Sequence, residues 1–159
     1  MRYCGADEAK ELSEMAIDIW MDYYSGFIDA DMVEYIVRRF QSVEAIKQQI
    51  KDGYLYWFIM NGNERAGYAC VVPEKDSLFM SKLYVSKQFR GSGLGSETMD
   101  EILEIGRKMG KKKVYLRVNK HNASSIEFYK RKGFVITKSL KEDLGSGYYL
   151  DDYFMEHIL

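Results

Sequence analysis

Three glycines alternate in the stretch Gln88-Phe89-Arg90-Gly91-Ser92-Gly93-Leu94-Gly95-Ser96, between a strand-like apolar run and an amphipathic helical pattern. Glycines at such a junction let the backbone bend tightly and bring its N–H groups close to a ligand. Those N–H groups, with a helix N-terminus behind them, form an anion site suited to a pyrophosphate. Gln88 and Arg90 add donors beside it. A P-loop requires Gly-Lys-Ser/Thr, and here Gly95 is followed by Ser96 and Glu97, so nucleotide hydrolysis of that type is excluded. A Rossmann fingerprint requires its third glycine three positions after the second, where this chain has Ser96, and antiparallel strands precede the turn. The remaining alternative to an anion site is a glycine-rich connection that holds nothing.

Other chemistry-bearing groups are sparser. The segment Trp20-Met21-Asp22-Tyr23-Tyr24-Ser25-Gly26-Phe27-Ile28-Asp29 sets aromatic faces among carboxylates, which suits a cationic amine, with Asp22 and Asp29 as its ligands. The alternative is a pair of helices packed through aromatics, with the acids facing solvent. Cys4, near a short first strand, and Cys70, inside a strand, read as ordinary residues. A Cys/His acyl-enzyme would need His121 or His157 beside one of them; His121 falls in a turn and His157 near the C-terminus, both expected exposed. No Cys/His spacing fits zinc, and no metal site is expected.

The elements that must position the glycine turn follow from periodicity and turn chemistry. Asp7 is expected to cap a first helix with apolar Leu12, Met15, Ala16, Ile19 and Trp20 on one face, and Ser25-Gly26 breaks it. A second helix is expected over 31–40, and a third between Ser42 and Gly53. Strands over 54–60 and 65–72 flank an Asn61-Gly62-Asn63 hairpin turn, and a third strand covers 78–85. The glycine turn opens a helix to about Met109. Lys113–Val118 follows as a strand, then a helix from Ala123 to Lys132 that stops at Gly133. Two closing strands, 134–139 and 149–157, flank a Gly145-Ser146-Gly147 loop. The order α-α-α-β-β-β-α-β-α-β-β carries no repeat or linker and implies one α+β domain over 1–159.

Composition agrees. The chain has 159 residues, 47% of them hydrophobic and 30% charged, with one proline, which excludes disorder and collagen-like sequence. Its longest apolar run, Tyr54–Met60, is far short of the roughly 20 residues that span a bilayer. The start has no apolar leader. With two cysteines the reading is a reduced, soluble, cytoplasmic protein. A net charge of −1 argues against nucleic acid as a partner. Met1–Glu34 is acidic, with only Arg2 and Lys10 as bases, whereas in Ile105–Lys138 Glu127 is the single acid. That gradient reads as two solvated faces, or as an anionic ligand near the basic segment and a cationic one near the acidic segment, and alone it decides nothing.

The pattern Gln88-x-x-Gly91-x-Gly93 resembles the acetyl-CoA-binding motif of the GNAT superfamily of N-acetyltransferases. Downstream, Asn122-Ala123-Ser124-Ser125-Ile126-Glu127-Phe128-Tyr129 and then Gly133-Phe134 resemble its second cofactor motif. The segment Tyr148–Glu156 is similar to the last strand of many bacterial members. The resemblance implies a mixed, mostly antiparallel central sheet of six to seven strands with helices on both faces. It implies backbone contacts from Leu83, Tyr84 and Val85 to the pantetheine arm of acetyl-CoA. It also implies a pyrophosphate cradle of N–H groups from Phe89 and Arg90 through Gly91, Ser92, Gly93, Leu94 and Gly95 to Ser96. Asn122 would touch the cofactor, Lys111–Lys113 and Lys130–Lys132 could lie near its 3′-phosphate, and Tyr129 would protonate the departing thiolate. A homodimer is common in such families.

The implied reaction is direct acetyl transfer from acetyl-CoA to a primary amine of a small molecule or peptide. Neutralising an amine of pKa about 10.4 at pH 7 costs about 4–5 kcal/mol, whereas a thiol near pKa 8.5 already leaves fairly well. The base therefore matters more than Tyr129. The segment Met80-Ser81-Lys82-Leu83-Tyr84 lacks the glutamate that some members place there, which leaves Asp151, Asp152 or a water chain. A non-catalytic acyl-CoA sensor is the alternative from another class.

Overall fold

Side-chain caps set two of the N-terminal helices where the sequence puts them. Asp29 accepts from the Asp31 N–H at 2.9 Å and starts the helix Ala30–Phe40; Ser42 Oγ accepts from the Ala45 N–H at 3.2 Å and starts the helix Val43–Lys51. With the preceding helix Ala9–Tyr24 these are α1 (Ala9–Tyr24), α2 (Ala30–Phe40) and α3 (Val43–Lys51), followed by α4 (Leu94–Lys108) and α5 (Ala123–Arg131). Asp7 does not act as the expected cap. It lies inside a 3₁₀ turn, Ala6–Glu8, that has no side-chain cap bond and is closed by the Glu8 N–H on the Gly5 carbonyl at 3.1 Å. The computed structural model describes residues 1–24, 29–145 and 147–159. The expected helix break at Ser25-Gly26 and the central residue of the expected Gly145-Ser146-Gly147 loop lie outside these.

The strands are β1 (Arg2–Cys4), β2 (Leu55–Asn61), β3 (Glu64–Pro73), β4 (Ser77–Val85), β5 (Lys113–Asn119), β6 (Val135–Gly145) and β7 (Tyr148–Ile158). They form a seven-stranded sheet in the order β1-β2-β3-β4-β5-β7-β6. β1 and β2, β2 and β3, β5 and β7, and β6 and β7 pair antiparallel, and β4 and β5 pair parallel. The class is mixed α+β with a mostly antiparallel sheet, as expected. No helix among the described residues is long and apolar enough to cross a membrane.

Contacts divide the chain into two compact units. One comprises Met1–Val72 with Lys82–Thr98, the other Pro73–Ser81 with Met99–Leu159. In the first, Leu12, Ala16 and Ile19 of α1 and Ile46 of α3 are buried with Tyr56 and Phe58 of β2 and Tyr68 and Cys70 of β3. The i, i+4, i+7 spacing on α1 meets the alternate positions of two strands, so both periodicities bury one common set. Each fully buried side chain of this size contributes roughly 1.5–3 kcal/mol.

In the second unit, Val114, Leu116 and Val118 alternate inward along β5, and Met99, Ile102, Phe134 and Met155 are buried. β6 departs most from expectation. It continues six residues beyond Ser139, to Gly145, although most of its residues are exposed. Its pairing with β7 runs from Val135–Glu156 to Gly145–Tyr148, with register shifts at Ile136/Lys138 and Asp143/Gly145. The backbone ladder, not a buried face, sustains its outer half.

Candidate active site

At the end of β4 the chain makes a 3₁₀ turn, Lys87–Phe89, then passes through Arg90 in extended conformation (φ −67°, ψ 146°) into the glycines. Gly91 and Gly93 have φ of +80° and +89°, the left-handed region that costs other L-residues roughly 1–2 kcal/mol. Nothing lies within 4 Å of the position a Cβ would take at either glycine. The constraint at both is therefore backbone conformation, and the space above them is open. Gly95 has no positive φ, and its Cβ would meet only Val85 Cγ2 at 3.8 Å.

The backbone donors of this turn divide into two sets. The Phe89 N–H bonds the Ser86 carbonyl at 2.9 Å and the Arg90 N–H bonds the Lys87 carbonyl at 3.2 Å. These two expected cradle donors are thus already engaged. α4 makes its first bond from the Glu97 N–H to the Gly93 carbonyl at 3.0 Å. The amides of Leu94, Gly95 and Ser96 therefore precede any intrahelical acceptor, as at every helix start. Among the described residues, no acceptor takes the amides of Gly91, Ser92 and Gly93 either. Six consecutive N–H groups, Gly91 to Ser96, form a nest at the positive end of α4, a 15-residue helix. Amides in such an arrangement can hold an anion such as a pyrophosphate. The Ser92 hydroxyl donates to the Phe89 carbonyl at 2.6 Å and tightens the loop.

The Arg90 side chain, expected as a donor to a ligand, is bonded within the protein. Gln88 is exposed within the 3₁₀ turn. The Arg90 guanidinium donates through Nε to the Val85 carbonyl at 3.0 Å and through Nη1 to Asp22 Oδ2 at 2.9 Å, and lies 4.8 Å over the Tyr23 ring. Lys87 Nζ reaches the other Asp22 oxygen at 3.2 Å. Bonding from Lys87, and after it from Arg90, holds the Asp22 carboxyl below its ordinary value.

β3 supports β4 from the other side. A Cβ on Gly67 would fall 2.2 Å from the Tyr84 carbonyl oxygen and 3.0 Å from Val85 Cα, so only glycine allows this backbone approach. The Ser86 N–H then bonds the Ala66 carbonyl at 2.8 Å. The β4–β5 ladder covers Ser77–Met80 against Lys113–Leu116. The half-buried residues Leu83, Tyr84 and Val85 lie beyond the last β5 partner in that ladder.

The aromatic and acidic segment at the end of α1 is internally satisfied. Trp20 Nε1 donates to the Tyr68 hydroxyl at 3.0 Å, and the Tyr24 and Tyr84 hydroxyls are 3.0 Å apart. Tyr24 is buried with Val33 and Val37. Asp22 is engaged by Lys87 and Arg90 and Asp29 by the start of α2, so neither carboxylate stands open for an amine. The packed-aromatic alternative fits Trp20–Tyr24, and Ser25–Ile28 lie outside the described residues.

In the second unit, Asn122 is buried and caps α5, accepting from the Ser125 N–H at 3.2 Å and from Ser124 Oγ at 3.3 Å. Tyr129, on α5, is 9% exposed, its ring 5.3 Å from Phe128 and 5.9 Å from Phe134. Asp151 pairs with Lys120, whose hydrogen bond holds the carboxyl low. Asp152 is buried; desolvation raises its pKa against the opposing pull of Arg117, whose Nη2 is 3.2 Å away. The basic segment is largely paired: Lys112 with Asp76, Lys113 with Glu156, Lys130 with Glu127 and Lys132 with Asp100. Lys111 donates to the Glu74 carbonyl. His157 is half-buried rather than exposed, its Nδ1 2.9 Å from the Lys132 carbonyl, while His121 is exposed as expected.

One group has no counterpart in the sequence reading. Lys82, on β4, is 6% exposed. Its Nζ donates to the Tyr56 hydroxyl at 2.6 Å and to Gln49 Oε1 at 2.9 Å, and burial lowers its pKa. The alternation Leu78, Met80, Lys82, Tyr84 was the available signal that this lysine shares the inward face.

The glycine turn thus joins a sheet strand to a long helix on a mostly antiparallel seven-stranded sheet. The profile described as the acetyltransferase (GNAT) family matches residues 13–134, and the chain belongs to that family. It is 33% identical over 63 residues to an uncharacterized N-acetyltransferase of Methanocaldococcus jannaschii, a match covering 40% of this chain and 28% of that protein. It is 31% identical over 90 residues to an uncharacterized N-acetyltransferase of Mycobacterium bovis, covering 56% of this chain and 57% of that one. These matches thus span between about a quarter and somewhat over half of the relatives' lengths. The fold is similar to that of the PaiA N-acetyltransferase from Thermoplasma acidophilum, solved in complex with coenzyme A. The TM-score is 0.83 at 20% identity, over 99% of this chain and 97% of that one.

Proposed function

We propose that the chain transfers the acetyl group of acetyl-CoA directly to a primary amine of a small molecule or peptide. The observation that carries this reading is the run of backbone N–H groups from Gly91 to Ser96, without acceptors among the described residues, at the start of α4. Coenzyme A in the Thermoplasma acidophilum neighbour supports the choice of anion.

Acetyl-CoA supplies an activated acetyl group, and the rest of the work falls to the chain. The Gly91–Ser96 amides hold the diphosphate. The backbone of Leu83, Tyr84 and Val85 orients the pantetheine arm, and Asn122 contributes a further polar contact to the cofactor. Tyr129 is the general acid that gives its hydroxyl proton to the departing thiolate. The amine must lose a proton to become nucleophilic, and this costs more than protonating the thiolate. Asp152 is better suited than Asp151 to receive that proton, since its carboxyl is held higher. Orientation of the amine against the thioester contributes several kcal/mol more.

A thiol-release assay with acetyl-CoA across a panel of small amines and peptide N-termini tests the reading. The expected result is saturable thiol release with at least one amine, lowered about 10- to 100-fold by Tyr129→Phe. Calorimetric binding of coenzyme A with no turnover on any amine would favour the sensor function instead.

A further inference from the structure

We propose that Asp22 is a positioning residue of the cofactor turn, acting through Arg90, and not a ligand for the acceptor amine. This inference rests on the acetyl-CoA reading above. The side chain of Arg90 is fixed at three points: the Val85 carbonyl at 3.0 Å, Asp22 Oδ2 at 2.9 Å and the face of Tyr23 at 4.8 Å. It thereby ties the last residue of β4 to the last turn of α1, immediately before Gly91.

That placement meets a mechanical need. Gly91 and Gly93 both adopt left-handed conformations, and glycine is the residue with the most backbone freedom to lose. A nest of amides binds an anion well only when its N–H groups already converge. The 3₁₀ turn fixes Phe89 and Arg90 from the backbone side, and the guanidinium fixes the same point from the side-chain side. Asp22 is the anchor of that brace, because it is the carboxylate that accepts from both Arg90 and Lys87.

Position and charge predict opposite outcomes for Asp22, and this makes the inference decidable. If Asp22 acted only as a nearby negative charge, removing it would leave Arg90 and Lys87 uncompensated beside an anion site and tighten coenzyme A binding. If Asp22 acts as the anchor, removing it releases Arg90 from α1, and binding weakens. The pair is about one-third exposed on each side, so the effect is moderate rather than total.

The experiment is calorimetric titration with coenzyme A, together with KM values for acetyl-CoA and for the best amine of the panel. The proteins are wild type, Asp22→Asn, Asp22→Glu, Arg90→Lys and the double variant Asp22→Asn/Arg90→Lys. Asp22→Asn and Arg90→Lys are each expected to raise the coenzyme A Kd and the acetyl-CoA KM about fivefold to tenfold. The double variant should do little more than either single one, because both break the same brace. The amine KM should stay unchanged, and Asp22→Glu should restore part of the loss. Near-ultraviolet circular dichroism checks that each variant is folded; Arg90→Lys carries the test should Asp22→Asn fail to fold. Additive losses, tighter coenzyme A binding, a Kd within twofold of wild type, or a rise confined to the amine KM would each overturn the inference. Wild-type protein that binds no coenzyme A would overturn the acetyl-CoA reading and this inference with it. Failure of the variants alone leaves that reading standing.

Discussion

The glycine turn and the end of α1 both read, by residue type, as places where a ligand could bind, and they differ in what their polar groups already do. In the turn, the amides of Gly91 to Ser96 have no acceptors among the described residues. At the end of α1, Trp20 bonds Tyr68, Tyr24 bonds Tyr84, Asp22 bonds Lys87 and Arg90, and the following Asp29 caps α2. Aromatic and acidic composition alone therefore does not mark a binding site. Backbone donors left without protein acceptors at a helix N-terminus are the stronger candidate, because an anion can take several of them at once.

The sharpest way to break that contrast is at the open side. Gly93→Val puts a β-branched residue at φ +89° and should abolish measurable heat of coenzyme A binding, since the turn must refold to relieve the strain. Next comes the support beneath β4. Gly67→Ala sets a Cβ 2.2 Å from the Tyr84 carbonyl oxygen and should cost about 3 kcal/mol in urea unfolding, with weaker coenzyme A binding as a consequence. On the satisfied side, Trp20→Phe removes the donor to the buried Tyr68 hydroxyl. It should cost about 1–2 kcal/mol of stability while leaving the amine KM unchanged. A change in amine KM without loss of stability would show that the aromatic cluster binds ligand after all.

The smallest effect concerns Lys82. Burial sets its folded pKa below the ordinary lysine value of 10.5, so between those two values the unfolded chain binds more protons than the folded one. Stability from this group therefore rises as pH rises through that window, and below it the full penalty persists. Lys82→Met should flatten this dependence and change stability at neutral pH by about 1 kcal/mol or less, in the stabilising direction. Urea midpoints measured across the alkaline range check the sign.

Much of the architecture is legible in the sequence because short-range chemistry specifies it. Ser42 starts α3 through its own side chain, and Gly53, with φ +94°, follows the end of α3. The glycine turn is legible for the same reason. β6 is not, since its exposed outer half shows no inward alternation and depends on its register with β7. The roles of Asp22 and Arg90 are hidden for a related reason. Those residues are 68 positions apart, and only the fold brings the end of α1 to the turn. Lys82 lies between these cases: strand alternation marks its face, while residue type alone suggests solvent.

Nuclear magnetic resonance observes the six amides of Gly91 to Ser96 directly. In a titration of the nitrogen-15-labelled chain with coenzyme A, the N–H signals of Gly91 through Ser96 should shift together and saturate at one equivalent. The Phe89 and Arg90 N–H groups, already bonded within the 3₁₀ turn, should move less. Saturating shifts elsewhere, with these six signals unmoved, would contradict the account.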